Sequence, residues 1–179
     1  MKKILAIVFV MFLAVPAFAA NNQAAKGNIV VTLPLFSYWT GMGDLDNSSY
    51  FSFLAMGYEP EVQYCVIDNL AIGGKVGYKN DKRTGGSEKT TSFGPLANYY
   101  FSFVKAPVLP YAGAGLLIEK TKPSDITETS LKLQGGAVYN FYKNLSAYGE
   151  VFLSYVRMKN GETVTGERVG FALGVKAFF

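Results

Sequence analysis

Along residues 126–141 the side chains change character at every step. Thr129, Leu131, Leu133, Gly135, Ala137 and Tyr139 share one face of an extended chain, while Glu128, Ser130, Lys132, Gln134, Gly136 and Asn140 mostly share the other. A period of two marks a strand with one apolar face. The pattern recurs where Met56, Tyr58, Pro60, Val62 and Tyr64 oppose Gly57, Glu59, Glu61 and Gln63. It recurs again where Ala147, Gly149, Val151, Leu153 and Tyr155 oppose Ser146, Tyr148, Glu150 and Ser154. The last stretch sets Val169, Phe171, Leu173, Val175, Ala177 and Phe179 against Gly170, Ala172, Gly174 and Lys176, with Phe178 as an inward exception. Eight strands are predicted in all, at 28–39, 50–66, 70–80, 88–103, 108–120, 126–141, 145–158 and 163–179. No continuous apolar run after Ala20 is long enough for a membrane-spanning helix.

The connections alternate too. Tight turns are expected at 67–69, 104–107 and 142–144, whereas longer, more polar loops are expected at 40–49, 81–87 and 121–125, with a short one at 159–162. An up-and-down antiparallel meander places the two kinds at opposite ends, the asymmetry of barrels with short turns on one side of a membrane. Pro34, Pro60, Pro95 and Pro110 fall inside strands, where proline requires an edge, an end or a bulge.

Alternation alone does not say which face looks inward. A soluble barrel would turn a Lys- and Glu-rich face to water, but here the polar faces are rich in glycine and sparsely charged. Glu59, Glu61, Lys75, Lys79, Glu119, Glu128, Lys132, Glu150 and Lys176 all lie on polar faces, five acids against four bases. Buried charges persist when paired, so this balanced set suits a narrow lumen, with the apolar faces turned to lipid. Aromatic residues collect near strand ends: Tyr64, Phe101, Phe103, Tyr139 and Phe179 toward the tight turns, Tyr78, Phe93 and Tyr155 toward the other side. Such girdles are what bilayer interfaces select. The final strand must then pair with the first, because lipid satisfies no open edge.

Composition agrees with this picture. The chain of 179 residues has 12 Tyr, 14 Phe, 19 Gly, a single cysteine, Cys65, and no histidine. One cysteine permits no internal disulfide. The opening, residues 1–19, has Lys2 and Lys3, an apolar run over 4–15 and Ala17-Phe18-Ala19, the layout of a secretory signal peptide cleaved after Ala19. Its removal takes two positive charges from a formal net charge of +4, leaving a near-neutral chain with scattered bases and no footprint for nucleic acid. Residues 20–27 then form a short periplasmic segment and 28–179 the barrel domain.

With the signal peptide, the stretch "GYEPEVQYCVIDNLAIGGKVGY" over 57–78 and the terminal strand ending in Phe179, the sequence resembles the small outer-membrane β-barrel family of Gram-negative bacteria, similar to the OmpA-like and OmpX-like eight-stranded barrels. The resemblance implies an all-β, eight-stranded antiparallel up-and-down transmembrane barrel in the cell outer membrane. It also implies outer-membrane lipid and lipopolysaccharide as surroundings, and a C-terminal insertion signal read by the barrel-assembly machinery. Gly174 and Phe179 match that signal, Ala177 is a weak hydrophobic at its place, and Ala172 departs from it.

Candidate chemistry is sparse. Enzymatic barrels of this kind rely on histidine as general base, and none is present. "TGGSEKTT" lacks the core of a phosphate loop, a single cysteine without histidine suits no zinc site, and no cofactor is implied. Asp44 and Asp46 read as a solvated loop. The function expected is structural and surface-interacting, with external loops at 40–49, 81–87, 121–125 and 159–162 available to a surface ligand. The alternatives are a porin-type small-solute channel and, more distantly, a soluble periplasmic barrel binding an apolar ligand.

Overall fold

The structure, a computed structural model, describes residues 23–45, 48–53, 57–83, 86–102, 108–142, 144–160 and 162–179. The expected signal peptide, its cleavage point, Phe103 and the whole of the 104–107 turn lie outside the described residues. The strands are β1 (Ile29–Gly43), β2 (Ser49–Phe53), β3 (Gly57–Tyr58), β4 (Glu61–Ile67), β5 (Leu70–Arg83), β6 (Gly86–Tyr100), β7 (Val108–Lys122), β8 (Ile126–Tyr142), β9 (Leu145–Asn160) and β10 (Glu162–Phe178). All pairings are antiparallel between neighbours. β10 pairs with β1 and closes the sheet on itself.

β2 and β4 both pair with β1, and β3 and β4 both pair with β5, so these three pieces occupy one place in the ring. The barrel thus has eight positions, and the strand expected at 50–66 is the broken one. Pro60 sits at the break between β3 and β4, where it has no ladder hydrogen bond to donate. The other prolines find separate solutions. A bulge follows Pro34, shifting the β1–β10 register before Phe36, while the β6–β7 ladder skips Gly94 and Pro95 between Phe93↔Ile118 and Leu96↔Gly115.

The segments expected as longer loops mostly continue the strands. β1 runs to Gly43, β5 to Arg83, β6 starts at Gly86, β7 runs to Lys122, β9 to Asn160, and β10 starts at Glu162. The end of outward apolar residues marks the edge of the greasy band, not the end of hydrogen bonding, so polar strands project beyond it. The connections at this hairpin end are therefore about as short as the tight turns. In one of those, Asp68–Asn69, Asn69 takes φ 71°, a left-handed conformation asparagine tolerates.

The wall is apolar outside. Val62, Ile72, Val76, Leu131, Leu133, Leu153 and Leu173 are all exposed. Near the tight turns stand Tyr64, Tyr99, Tyr139, Phe141, Tyr142 and Phe179, and toward the hairpin end Tyr78, Phe93 and Tyr155. Phe101 is half-buried against Tyr99, ring centroids 5.3 Å apart. Three bulges sharpen the pattern. At Leu35-Phe36, Val66-Ile67 and Phe141-Tyr142 the register shifts, and after each shift the strand's faces exchange parity.

Candidate functional site: the lumen

Inside, the barrel is divided. Its tight-turn half is filled by Val30, Cys65, Ala71, Tyr100, Leu109, Tyr111, Val138, Tyr148 and Phe178, with Ala24 from the N-terminal segment lying in the same cluster. That segment, expected as a short periplasmic stretch, folds across the opening. Asn69 N–H donates to Ala24 O at 2.8 Å, Gly27 N–H to Cys65 O at 2.9 Å, and Lys26 N–H to Asp68 Oδ1 at 2.8 Å. It forms a floor.

Above the floor an amide ladder crosses the lumen. Gln134 Nε2 donates to Asn98 Oδ1 at 2.9 Å, and Asn98 Nδ2 donates to Gln63 Oε1 at 3.0 Å. Gly113 lies on the strand between and faces Asn98, whose side-chain amide occupies the place a Cβ would take. Beside the ladder Lys176 is fully buried, its Nζ over the rings of Tyr111 at 4.1 Å, Tyr148 at 5.1 Å and Tyr100 at 5.8 Å.

The hairpin-end half is not filled. A cavity of ≈ 220 Å³ is lined by Glu59, Glu61, Lys75, Lys79, Glu119, Glu128, Lys132 and Glu150 together with Trp39, Tyr50, Phe152 and Arg168. The inward parity places eight of the nine charges expected in the lumen on this cavity, and Lys176 in the packed half below. They do not form one network. Glu59 binds Lys75 at 2.6 Å and Lys79 at 2.9 Å, entering over Gly77, where a Cβ would crowd the Glu59 side chain and Ser92. Glu150 accepts from Lys132 Nζ at 2.7 Å and from Tyr111 Oη at 2.7 Å. Glu61, Glu119 and Lys176 make no ion pair among the described residues.

A third pair was missed in the sequence. Arg168 bonds Glu128 through its two terminal guanidinium nitrogens, Nη2 to Oε2 at 2.7 Å, and stacks 4.1 Å over Trp39. Its signal was present, since Arg168 shares the inward parity of Gly170, Ala172, Gly174 and Lys176. The paired bases Lys75, Lys79, Lys132 and Arg168 keep 13–18% of their side-chain surface exposed, whereas Lys176 keeps none. Water reaches the charges from the hairpin end and stops above the tyrosines. Closure comes from the aromatic and amide groups below the charged cavity.

The residues of the expected insertion signal lie at the closing seam. Gly174 is buried beside the Tyr148 ring and the Leu33–Pro34 backbone, Ala177 pairs with Val31, and Phe179 is 66% exposed. Asp44 is exposed in the turn after β1 and Asp46 lies outside the described residues; no group of metal-ligating side chains occurs among the described residues.

The sequence profile of the family described as "Outer membrane protein beta-barrel domain" matches residues 5–178. Among solved structures, the fold is similar to Neisserial surface protein A, with TM-score 0.64 and 20% identity over 85% of this chain and 97% of that one. It is also similar to the N-terminal β-barrel domain of Pseudomonas aeruginosa OprF, with TM-score 0.50 and 17% identity over 86% and 98% of the two chains. A comparison with curated protein sequences found no match.

Proposed function

Since the chain belongs to the outer-membrane protein β-barrel family, we propose that it serves there as a closed, non-conducting barrel of structural and surface-interacting type. The hairpin ends face outward and the floor faces the periplasm. The observation that carries this reading is the blind lumen: the charged cavity ends on Tyr100, Tyr111, Tyr148 and Phe178, and Ala24 lies beneath them. Eight strands enclose an interior that side chains fill, so a conducting path would need the floor to leave. This role requires no catalytic step. Gly174, Ala177 and Phe179 serve as the signal by which the assembly machinery recognises the last strand.

Two measurements test this. The mature protein in washed membranes is expected to migrate faster on a detergent gel before boiling than after, and a boiling-independent band in the soluble fraction would overturn the membrane reading. In planar bilayers the barrel is expected to give no steady conductance, while replacing Leu109, Tyr111 and Tyr148 together by alanine opens a path. Steady channels in the unaltered protein would instead make it a small-solute pore.

A further inference from the structure

We propose that the lumenal cavity is a binding site for a small aliphatic diamine, held through its two ammonium groups by Glu61 and Glu119. The inference rests on the blind-lumen reading above, in which the cavity is reached from the hairpin end. Its ground is a mismatch of charge. Every base lining the cavity already holds a carboxylate: Lys75 and Lys79 hold Glu59, Lys132 holds Glu150 and Arg168 holds Glu128. Of the five carboxylates in the lining, Glu61 and Glu119 are left without an ion pair among the described residues. The remaining inward base, Lys176, sits below among the tyrosines and does not line the cavity.

Both leftover acids are placed where a bare carboxylate is costly. Glu61 is only 5% exposed, and its Oε2 is buried without a hydrogen-bond partner. Lys75 stands directly opposite it across β4–β5, yet reaches past it to Glu59 at 2.6 Å. A buried carboxylate oxygen costs free energy unless something donates to it. Glu119 stands directly opposite Glu128 across β7–β8, and like charges so placed repel. Arg168 neutralises Glu128 alone. Positive charge is therefore missing at two points of the lining, on β4 and on β7, with β5 and β6 between them.

The rest of the lining narrows the chemistry. A divalent metal ion wants several oxygens converging on one point, whereas these two acids stand on separate strands. An anion would find every base of the lining already bound. The aromatic faces are taken as well: Lys79 lies over Tyr50 at 4.7 Å, Lys132 over Phe152 at 4.6 Å and Arg168 over Trp39 at 4.1 Å. A quaternary ammonium would thus lack its aromatic cage. Primary ammonium groups need only oxygen acceptors, and Ser130 and Ser154 add hydroxyls to the two carboxylates. Pro34, Leu117 and Ala172 give the lining apolar surface for a short methylene chain. Arg168 Nε is buried without an acceptor, but its guanidinium charge is already matched, so a bridging water suffices there.

The test uses the full chain folded in detergent at low ionic strength, titrated calorimetrically with putrescine. One molecule per barrel is expected to bind, with butylamine roughly 10-fold weaker for the loss of one charged contact and succinate not binding. Glu61→Gln and Glu119→Gln should each lower the affinity roughly 10-fold while keeping the heat-shifted gel band. Without ligand, Glu119→Gln should also keep or raise the urea midpoint, because it ends the repulsion of Glu128. A lower midpoint there would show an acid kept for stability and would count against the site. Putrescine should raise the midpoint of the parent and leave that of the double variant unchanged. Unchanged affinity in either single variant, or no binding by the parent, would overturn the proposal. Equal binding of butylamine would overturn the two-point assignment, and equal binding of magnesium would reassign the acids to an inorganic cation. Failure of the blind-lumen reading would look different, since steady conductance in planar bilayers would sink that reading and leave the one-to-one binding in place.

Discussion

Gly77 shows how far one missing Cβ shapes the lumen. It lies between Lys75 and Lys79 on β5, and the space above it admits the Glu59 side chain that binds both. Gly77→Val should therefore displace Glu59 and leave two partly buried ammonium groups without a partner. A loss of about 1–3 kcal/mol is expected from overpacking alone, read as a lower urea midpoint. Glu128→Gln is a cleaner electrostatic test, because it strips Arg168 of its partner while keeping the shape. That should cost up to about 3 kcal/mol, with stability partly recovered when Glu128→Arg is combined with Arg168→Glu. Period-two reasoning brought Glu59, Lys75, Lys79, Glu128, Lys132 and Glu150 to one face. It did not reveal that Glu59 serves two lysines or that Lys176 settles among tyrosines, since partner choice depends on which strands face each other across the ring. Arg168 was legible by the same parity, since it shares the inward face of the last strand with Lys176.

At the level of strands, the bulges fix which face is which. Before the shift in β1, Val30, Thr32 and Pro34 point inward; after it, Ser37 and Trp39 do, and the outward side gains Phe36, edge-to-face with Phe51 at 4.8 Å and tilted against Phe171 at 5.4 Å. Removing Leu35 would erase only the bulge, because Pro34↔Gly174 would then be followed directly by Phe36↔Leu173 and every later side chain of β1 would keep its face. The expected outcome is a protein that keeps its heat-shifted gel band, with Trp39 still against Arg168. Loss of the band would show that folding needs the bulge itself and not only the alternation beyond it. The sequence pointed to irregularity at Pro34 and Pro60 but not to its form, because proline forbids a ladder bond without choosing between bulge, break and skipped rung. Strand ends toward the hairpins were misplaced for a different reason. Alternation of apolar residues reports contact with lipid, and β5, β7 and β9 remain paired several residues past that contact.

For the whole molecule, what matters is that the outside is greasy, the inside is divided and the ring is closed. The barrel was legible from the direction of the apolar faces, and the blind lumen was not. The floor depends on Ala24, whose short segment carries no periodic signal, and on tyrosines that composition could equally have assigned to the interfaces. Removing residues 170–179 should abolish folding altogether, because β1 would lose its pairing from Val30 to Trp39 and lipid offers nothing in exchange. The absence of any heat-shifted species would record it.

The seam between β10 and β1 also sets the order of events in time. Every other hairpin joins neighbours in the chain, but Val30 meets Phe178 only after almost everything between them has found its place. Contacts so distant in sequence are slow to form, so the rate-limiting step of folding should be this closure, with β5–β6 among the early pairs. The adjacency of Ile29 and Phe179, whose backbones exchange hydrogen bonds of 2.8 and 2.9 Å, offers a way to move that step. A circular permutant in which a short linker joins Phe179 to residue 23, opened at 84–85, keeps the floor and the ladder pairings of the barrel but turns the β5–β6 hairpin into the distant pair. It should reach the same folded state while leaving β5–β6, rather than β10–β1, to close last.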